Sequence, residues 1–281
     1  MTKSSMGWDN SRVLSGAFTY LDSVESTNTW LMEKTTVVPA QIVLTLNQTG
    51  GRGRWDRRWV NEPGEGLALS VVVPQPPESN GKSPLNTWIP LLVGVAVVHS
   101  VRSIGVAEAT LKWPNDVLVG GRKLAGVLCE VRTDGFVVAG VGLNLRFRAN
   151  RPDPRAVSLH DALDEGEPAL DLFVANLLRH LSHLVVSNFQ QQRDAVFSVL
   201  GTIGKPVEVV AWDGSRGAGV AEGLDDQGGL VVRMEDGRIT PVTSADVAHV
   251  YQKGRSYGED WSRRRWAISP HDDSSSNQPG H

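Results

Sequence analysis

Apolar residues along this chain fall mostly into short runs bounded by turn residues, and only two long stretches repeat them at helical spacing. Residues 18–21, 41–47 and 66–73 read as strands, the last stopped by Pro74. Before the second of these, Ser26 or Thr27 can accept a bond from orphan N–H groups and cap a short helix continuing through Trp30, Leu31 and Lys34. Residues 75–85 are a Pro/Ser/Gly connection. From 86 to 104, Trp88, Leu91, Leu92, Val95, Val98 and Val101 mark a long helix with one side buried.

Strand patterns then return at 110–113, 117–119, 124–131 and 136–145, punctuated by Pro114-Asn115-Asp116, Gly120-Gly121 and Asp134-Gly135. A polar, proline-containing loop with a short helix at 158–163 leads to a second long helix over 169–192. After Gly204, short strands at 207–211, 219–224, 230–234, 239–242 and 249–251 alternate with Asp/Gly turns, the pattern of a small barrel able to fold semi-independently. Strands joined by hairpins, with helices before and after them, predict an α+β fold. The domains expected are a polar arm at 1–17, a main domain at 18–200, the small barrel at 204–252 and a disordered tail at 253–281 that has little to bury.

Composition adds few constraints. The net charge is -3, with 40% hydrophobic and 21% charged residues, which gives no general affinity for nucleic acid. The one cysteine, Cys129, excludes an intramolecular disulfide and fits a reducing compartment. It lies in a strand-like run and reads as a buried thiol. No charged start followed by an apolar segment is present, and residues 88–104 are interrupted by Pro90, His99 and Arg102. A cytoplasmic protein without membrane association is expected.

Against that neutral background, residues 48–59 stand out: Gln48-Thr49-Gly50-Gly51-Arg52-Gly53-Arg54-Trp55-Asp56-Arg57-Arg58-Trp59. Arginine forks and close-approaching glycine N–H groups suit phosphate or carboxylate oxygens, and a solvated basic turn is the bland alternative. There is no Walker loop, no GxSxG elbow, no HExxH and no cysteine pair. Gly140-Val141-Gly142 runs on into a strand, so a dinucleotide-binding reading fails on context. What remains is a chemistry of positioning. It fits adenylation, in which an already anionic carboxylate attacks the α-phosphate of ATP and the protein stabilises the growing charge. Lys123, just after a glycine turn, can supply a point charge there.

Five stretches occur in order: Glu25-Ser26-Thr27-Asn28; Gln48 with Gly51-Arg52-Gly53-Arg54 and Trp59; Lys112-Trp113-Pro114-Asn115-Asp116; Arg122-Lys123-Leu124-Ala125-Gly126; and Gly140-Val141-Gly142-Leu143-Asn144. Together they resemble the catalytic domain of biotin protein ligases over roughly residues 18–190. The resemblance implies a catalytic domain like that of class II aminoacyl-tRNA synthetases and an SH3-like C-terminal barrel. It implies that biotin and ATP, with Mg²⁺, form biotinyl-5′-AMP, and that biotin then passes to a lysine on the carboxyl-carrier domain of an acyl-CoA carboxylase.

By the same resemblance, Ser26, Thr27, Asn28 and Gln48 hold the polar atoms of biotin. Arg52, Gly53 and Arg54 hold the carboxyl end and the phosphate, Lys123 and Arg54 are catalytic, and Gly126 is a close wall for the ring and valeryl chain. Trp59, Asn115 and Asn144 are expected on the nucleotide side, and Asp116 is a possible orienter of the incoming lysine; no residue is assigned to the metal. Trp55-Asp56 departs from the family loop, which carries Arg-Gly there, and this bears on loop mobility and adenylate retention.

The rivals are a lipoate or octanoate ligase or transferase of the same fold, a biotin-responsive DNA-binding repressor, and a nucleic-acid module built on the barrel. Lys112 to Asp116 favours biotin. Residues 1–17 leave no room for a winged helix, so no DNA binding is expected. No basic-aromatic strand face is found in 204–252. A monomer or weak homodimer is expected.

Overall fold

A computed structural model describes residues 7–59, 61–73, 88–148, 153–163, 166–211, 214–243 and 245–249. The expected proline-rich connection and tail lie outside the described residues. In chain order the elements are α1 (Asp9–Leu14), β1 (Ala17–Leu21), α2 (Thr27–Met32), β2 (Gln41–Thr45), β3 (Gly51–Arg52), β4 (Arg58–Trp59), β5 (Gly66–Val73) and α3 (Trp88–Ser103). Then follow β6 (Thr110–Lys112), β7 (Asp116–Val119), β8 (Arg122–Val131), β9 (Val137–Asn144), α4 (Leu159–Ala162), α5 (Leu170–Val186) and α6 (Phe189–Val199). The chain continues through β10 (Pro206–Ala211), β11 (Arg216–Leu224), β12 (Leu230–Met234), β13 (Ile239–Val242) and β14 (Ala245–His249).

Seven strands form a mixed sheet in the order β1-β2-β5-β9-β8-β7-β6. All neighbours are antiparallel except β1 and β2, which run parallel across α2. Successive strand residues face opposite sides, and in β5 and β9 that alternation sorts size as well as polarity. Leu67, Leu69, Val71 and Val73 with Val137, Ala139, Val141 and Leu143 face α3 and α5 in the main core. The intervening residues include Ala68, Ser70, Gly140 and Gly142. Ala68 pairs with Gly142, which pairs with Gly126; Ser70 pairs with Gly140, which pairs with Leu128. The second face is therefore a shallow floor of small side chains, flanked by α2, whose Leu31 packs on Val43, Val72 and Val138.

One local irregularity places Lys123. Val117 pairs with Ala125 but Leu118 pairs with Lys123, so Leu124 is the extra residue of a β-bulge. Without it, Lys123 and Gly126 would point to opposite faces. With it, a Cβ built on Gly126 would lie 3.1 Å from Lys123 Nζ.

β10 to β14 form a separate antiparallel sheet, β13-β12-β11-β10-β14. It is joined firmly to the first. Leu200 bridges Leu111, the Trp113 N–H donates to Thr202 Oγ1 at 2.9 Å, Trp113 Nε1 donates to Gly228 O at 2.9 Å, and Trp88 Nε1 donates to Asp226 O at 3.1 Å. Asp225 Oδ1 shapes that turn, accepting from Gln227 and Gly229 N–H groups, both at 2.8 Å.

Several expectations need correcting. Residues 9–14 are a helix, not a loose arm: Ser11 and Asn10 bond Asp171 at the start of α5, and Trp8 packs on Phe18 and Tyr20. The single helix expected over 169–192 is two, because Asn188 and Gln191 form a reciprocal capping box that starts α6. The last described strand is 245–249, earlier than expected. The hairpin pattern also concealed the parallel β1–β2 pair.

Candidate active site

The site lies on the small-residue face of the seven-stranded sheet. At one end, Ser26 caps α2, its Oγ accepting from the Thr29 N–H at 3.3 Å. The Thr27 N–H donates to Gln48 Oε1 at 2.9 Å. Ser70 Oγ, fully buried on β5, lies 2.7 Å from Thr27 Oγ1 and 2.6 Å from Asn28 Oδ1. Asn28 Nδ2 donates to Leu128 O at 3.2 Å and to Glu130 Oε2 at 2.6 Å. Gly140 is required beneath: a Cβ there would stand 2.3 Å from Asn28 Oδ1.

The arginine loop is a small hairpin, with Gly51 paired to Trp59 and Arg52 to Arg58. Trp55 sits at its tip in the left-handed region, φ 57°, where a bulky residue is uncommon. The Arg54 and Arg57 guanidinium groups lie 5.7 and 5.5 Å from its ring. Arg52 Nη2 donates to Glu130 Oε1 at 3.1 Å and to Thr29 Oγ1 at 3.2 Å. The hairpin ends by laying Trp59 on the sheet. A Cβ on Gly142 would meet the indole at 2.4 Å, and one on Gly126 at 3.4 Å. Lys123 Nζ is 5.5 Å from the Trp59 ring centroid.

At the other end, Lys123 Nζ meets Asp116 Oδ1 at 2.6 Å, and Lys112 Nζ lies 3.7 Å from Asp116 Oδ2. Burial pushes the Asp116 carboxyl up, but Lys123, Lys112 and Arg54 outweigh it and hold the group below the usual carboxylate range. The Lys123 backbone is pinned from several sides: its N–H donates to Arg155 O at 2.7 Å, and its carbonyl accepts from Val157 N at 2.9 Å and Asn144 Nδ2 at 3.2 Å. Asn144 also bonds Val157 O, and Asn115 Nδ2 donates to Val127 O at 2.6 Å. Both amides buttress the strands that carry Lys123 and Asp116.

The structure thus gathers the expected residues on one face in two groups, Ser26, Thr27, Asn28, Gln48 and Arg52 at one end, and Lys123, Asp116 and Gly126 at the other, with Trp59 between. Trp113 is wholly buried scaffold. Cys129 is partly buried, and desolvation, with help from Glu130, pushes its thiol up to about 12, which disfavours the thiolate a nucleophile needs. Sequence reasoning missed Ser70, Lys112 as a partner of Asp116, Glu130, and Asn61, whose Nδ2 is buried against Gly66 with no hydrogen-bond partner. Only Glu130 carried a local signal, an acidic residue at the end of an apolar strand.

Comparison with known proteins places this geometry in a family. Residues 20–145 match the biotin/lipoate A/B protein ligase family, and residues 202–250 match the biotin protein ligase C-terminal domain. The chain is 38% identical over 218 residues to the biotin–[acetyl-CoA-carboxylase] ligase of Mycobacterium tuberculosis, covering 74% of this chain and 79% of that protein. It is 30% identical over 214 residues to the ligase of the same name from Paracoccus denitrificans, covering 70% and 85%. Among solved structures, the biotin protein ligase from Aquifex aeolicus in complex with biotin and ATP superposes with a TM-score of 0.70 at 25% identity, over 84% of this chain and 100% of that one. The fold and floor define a member of the biotin/lipoate ligase class. Within it, the chain belongs to the biotin protein ligase family.

Proposed function

We propose that the protein is an ATP-dependent biotin–[carboxyl-carrier] ligase. A biotin carboxylate oxygen attacks the α-phosphorus of ATP, the bond to the β-phosphate breaks, and pyrophosphate leaves. The ε-amine of a carrier lysine, once neutral, then attacks the acyl carbon of biotinyl-5′-AMP and AMP departs. The observation that carries this reading is the arrangement on one floor of a polar pocket, an arginine hairpin and the Lys123–Asp116 pair. The pocket suits a polar ring, Arg52 and Arg54 the carboxyl end and phosphate, and Lys123 the charge that grows where they meet. Asp116, already accepting from Lys123, orients the incoming amine. Trp59, Asn115 and Asn144 line or brace the nucleotide side.

ATP is taken as its Mg²⁺ complex, the cation being carried by the phosphates. The arginine hairpin acts as a lid that closes over the adenylate, so protease cleavage between Arg52 and Arg58 should slow when adenylate is bound. The 18–200 unit is read as class II synthetase-like and 204–252 as an SH3-like module, supported by the separate five-stranded antiparallel sheet. The enzyme is read as cytoplasmic, and as a monomer or weak homodimer. Lipoyl or octanoyl transfer through a cysteine finds no support in the partly buried Cys129. Purified protein with labelled biotin, ATP-Mg²⁺ and an apo carrier domain should transfer label to one lysine; absence of transfer to any biotin-carboxylase carrier would refute the assignment.

A further inference from the structure

The recognition end contains a continuous chain of side chains, Thr27, Ser70, Asn28 and Glu130, and its hydrogen-bond directions are not free. In its ion pair with Arg52, Glu130 is a carboxylate and offers only lone pairs, whereas a primary amide has one donor end and one acceptor end. Asn28 must therefore turn its NH₂ toward Glu130 Oε2, at 2.6 Å, and Leu128 O, at 3.2 Å. That leaves Oδ1 facing Ser70 at 2.6 Å. Oδ1 has no proton, so the single Ser70 proton goes to Asn28. Thr27 Oγ1, 2.7 Å from Ser70 Oγ, must then be the donor in that contact.

A second constraint meets the first. The Thr27 backbone N–H donates to Gln48 Oε1 at 2.9 Å, which fixes Gln48 with its Nε2 on the other side, 2.6 Å from where a Gly51 Cβ would stand. The 3.2 Å approach of Thr27 Oγ1 to Gln48 Oε1 then contains no proton, because Thr27 has already given its own to Ser70.

We infer that Glu130 and Ser70 are positioning residues that set the donor–acceptor polarity of the pocket: Thr27 presents a lone pair and Gln48 an N–H. This rests on the biotin reading above and deepens it. A cyclic urea carries an N–H and a C=O in one ring and can answer both groups. A dithiolane ring or a straight acyl chain answers neither and leaves them buried and unpaired, the stronger kind of discrimination. Replacing Glu130 by a neutral amide removes the pure acceptor, so Asn28 can turn over and the direction of the whole chain is lost. Removing the Ser70 hydroxyl cuts the chain in the middle while leaving all charges in place.

The test measures calorimetric affinity for biotin and for 2-iminobiotin, whose guanidinium offers donors only, on wild type, Glu130→Gln and Ser70→Ala. Thermal melts confirm that each variant is folded. Wild type should prefer biotin strongly. Each variant should lose about tenfold or more in biotin affinity and show a narrowed biotin-to-iminobiotin ratio. Unchanged biotin affinity in either variant overturns the inference, as does an equal loss for both ligands, which marks a merely structural role. Failure of the wild type to bind either ligand would overturn this inference and the functional reading together.

Discussion

The two ends of the floor are built on opposite principles. Around Thr27 and Asn28 the polar groups are nearly inaccessible and joined through Ser70, with the Glu130–Arg52 ion pair at their edge. Around Lys123 and Asp116 they are charged, and Lys123 remains 38% exposed. A pre-bonded network resists rearrangement and so selects shape and polarity. A charge pair open to solvent can exchange partners as phosphate arrives, which suits a step whose charge changes along the reaction. The two ends meet on β8, which carries both Glu130 and Lys123, and the roles proposed for them can be damaged separately.

The sharpest way to separate them is Lys123→Ala. Adenylate formation should fall by about 10²–10³-fold, while biotin affinity changes little, measured by pyrophosphate release beside calorimetry. Comparable losses in both would merge the two ends. Asp116→Asn should reduce transfer to the carrier by about tenfold to a hundredfold, more than it reduces adenylation.

The same variant carries a pH signature. The folded Asp116 carboxyl lies below its unfolded value, so its contribution to stability is present above the unfolded pKa of about 4 and is lost as pH falls through the folded one. Acid melts of wild type should show this loss in that window and Asp116→Asn should lack it.

Gly142→Ala tests the floor between the ends. Its Cβ would press on the rigid Trp59 indole at 2.4 Å, and overpacking of this kind costs about 1–3 kcal/mol, read as roughly tenfold weaker biotin binding. Trp113→Phe should be the mildest in activity. It leaves Gly228 O without its indole donor and should lower stability by about 1–2 kcal/mol in a thermal melt, with smaller changes in the constants for biotin.

The sequence made the strands, the long helix α3 and the order of the motifs legible, because alternation and helical spacing are local properties. The break between α5 and α6 was also locally encoded, in Asn188 and Gln191, but apolar spacing on both sides masked it. The glycines of β9 could not be understood locally. Gly140 and Gly142 are small because Asn28 and Trp59, about a hundred residues earlier, come down on them. Likewise Arg132, just past the end of β8, is buried and donates to the carbonyls of Leu31, Met32 and Lys34, closing the end of α2. Ser70 stayed invisible because its partners are distant in the chain.

The tie between Trp113 and the Asp225–Gly229 turn sets a limit on protein engineering. Trp113 adjoins Pro114-Asn115-Asp116, and its indole and amide both end on the C-terminal segment. A reporter enzyme split in the linker near residue 203 would therefore not yield an autonomous catalytic half awaiting a dispensable tag. The larger fragment would keep Thr202 but lose Gly228 O, the acceptor of the indole beside Pro114-Asn115-Asp116, and complementation would have to rebuild that contact before any label was transferred.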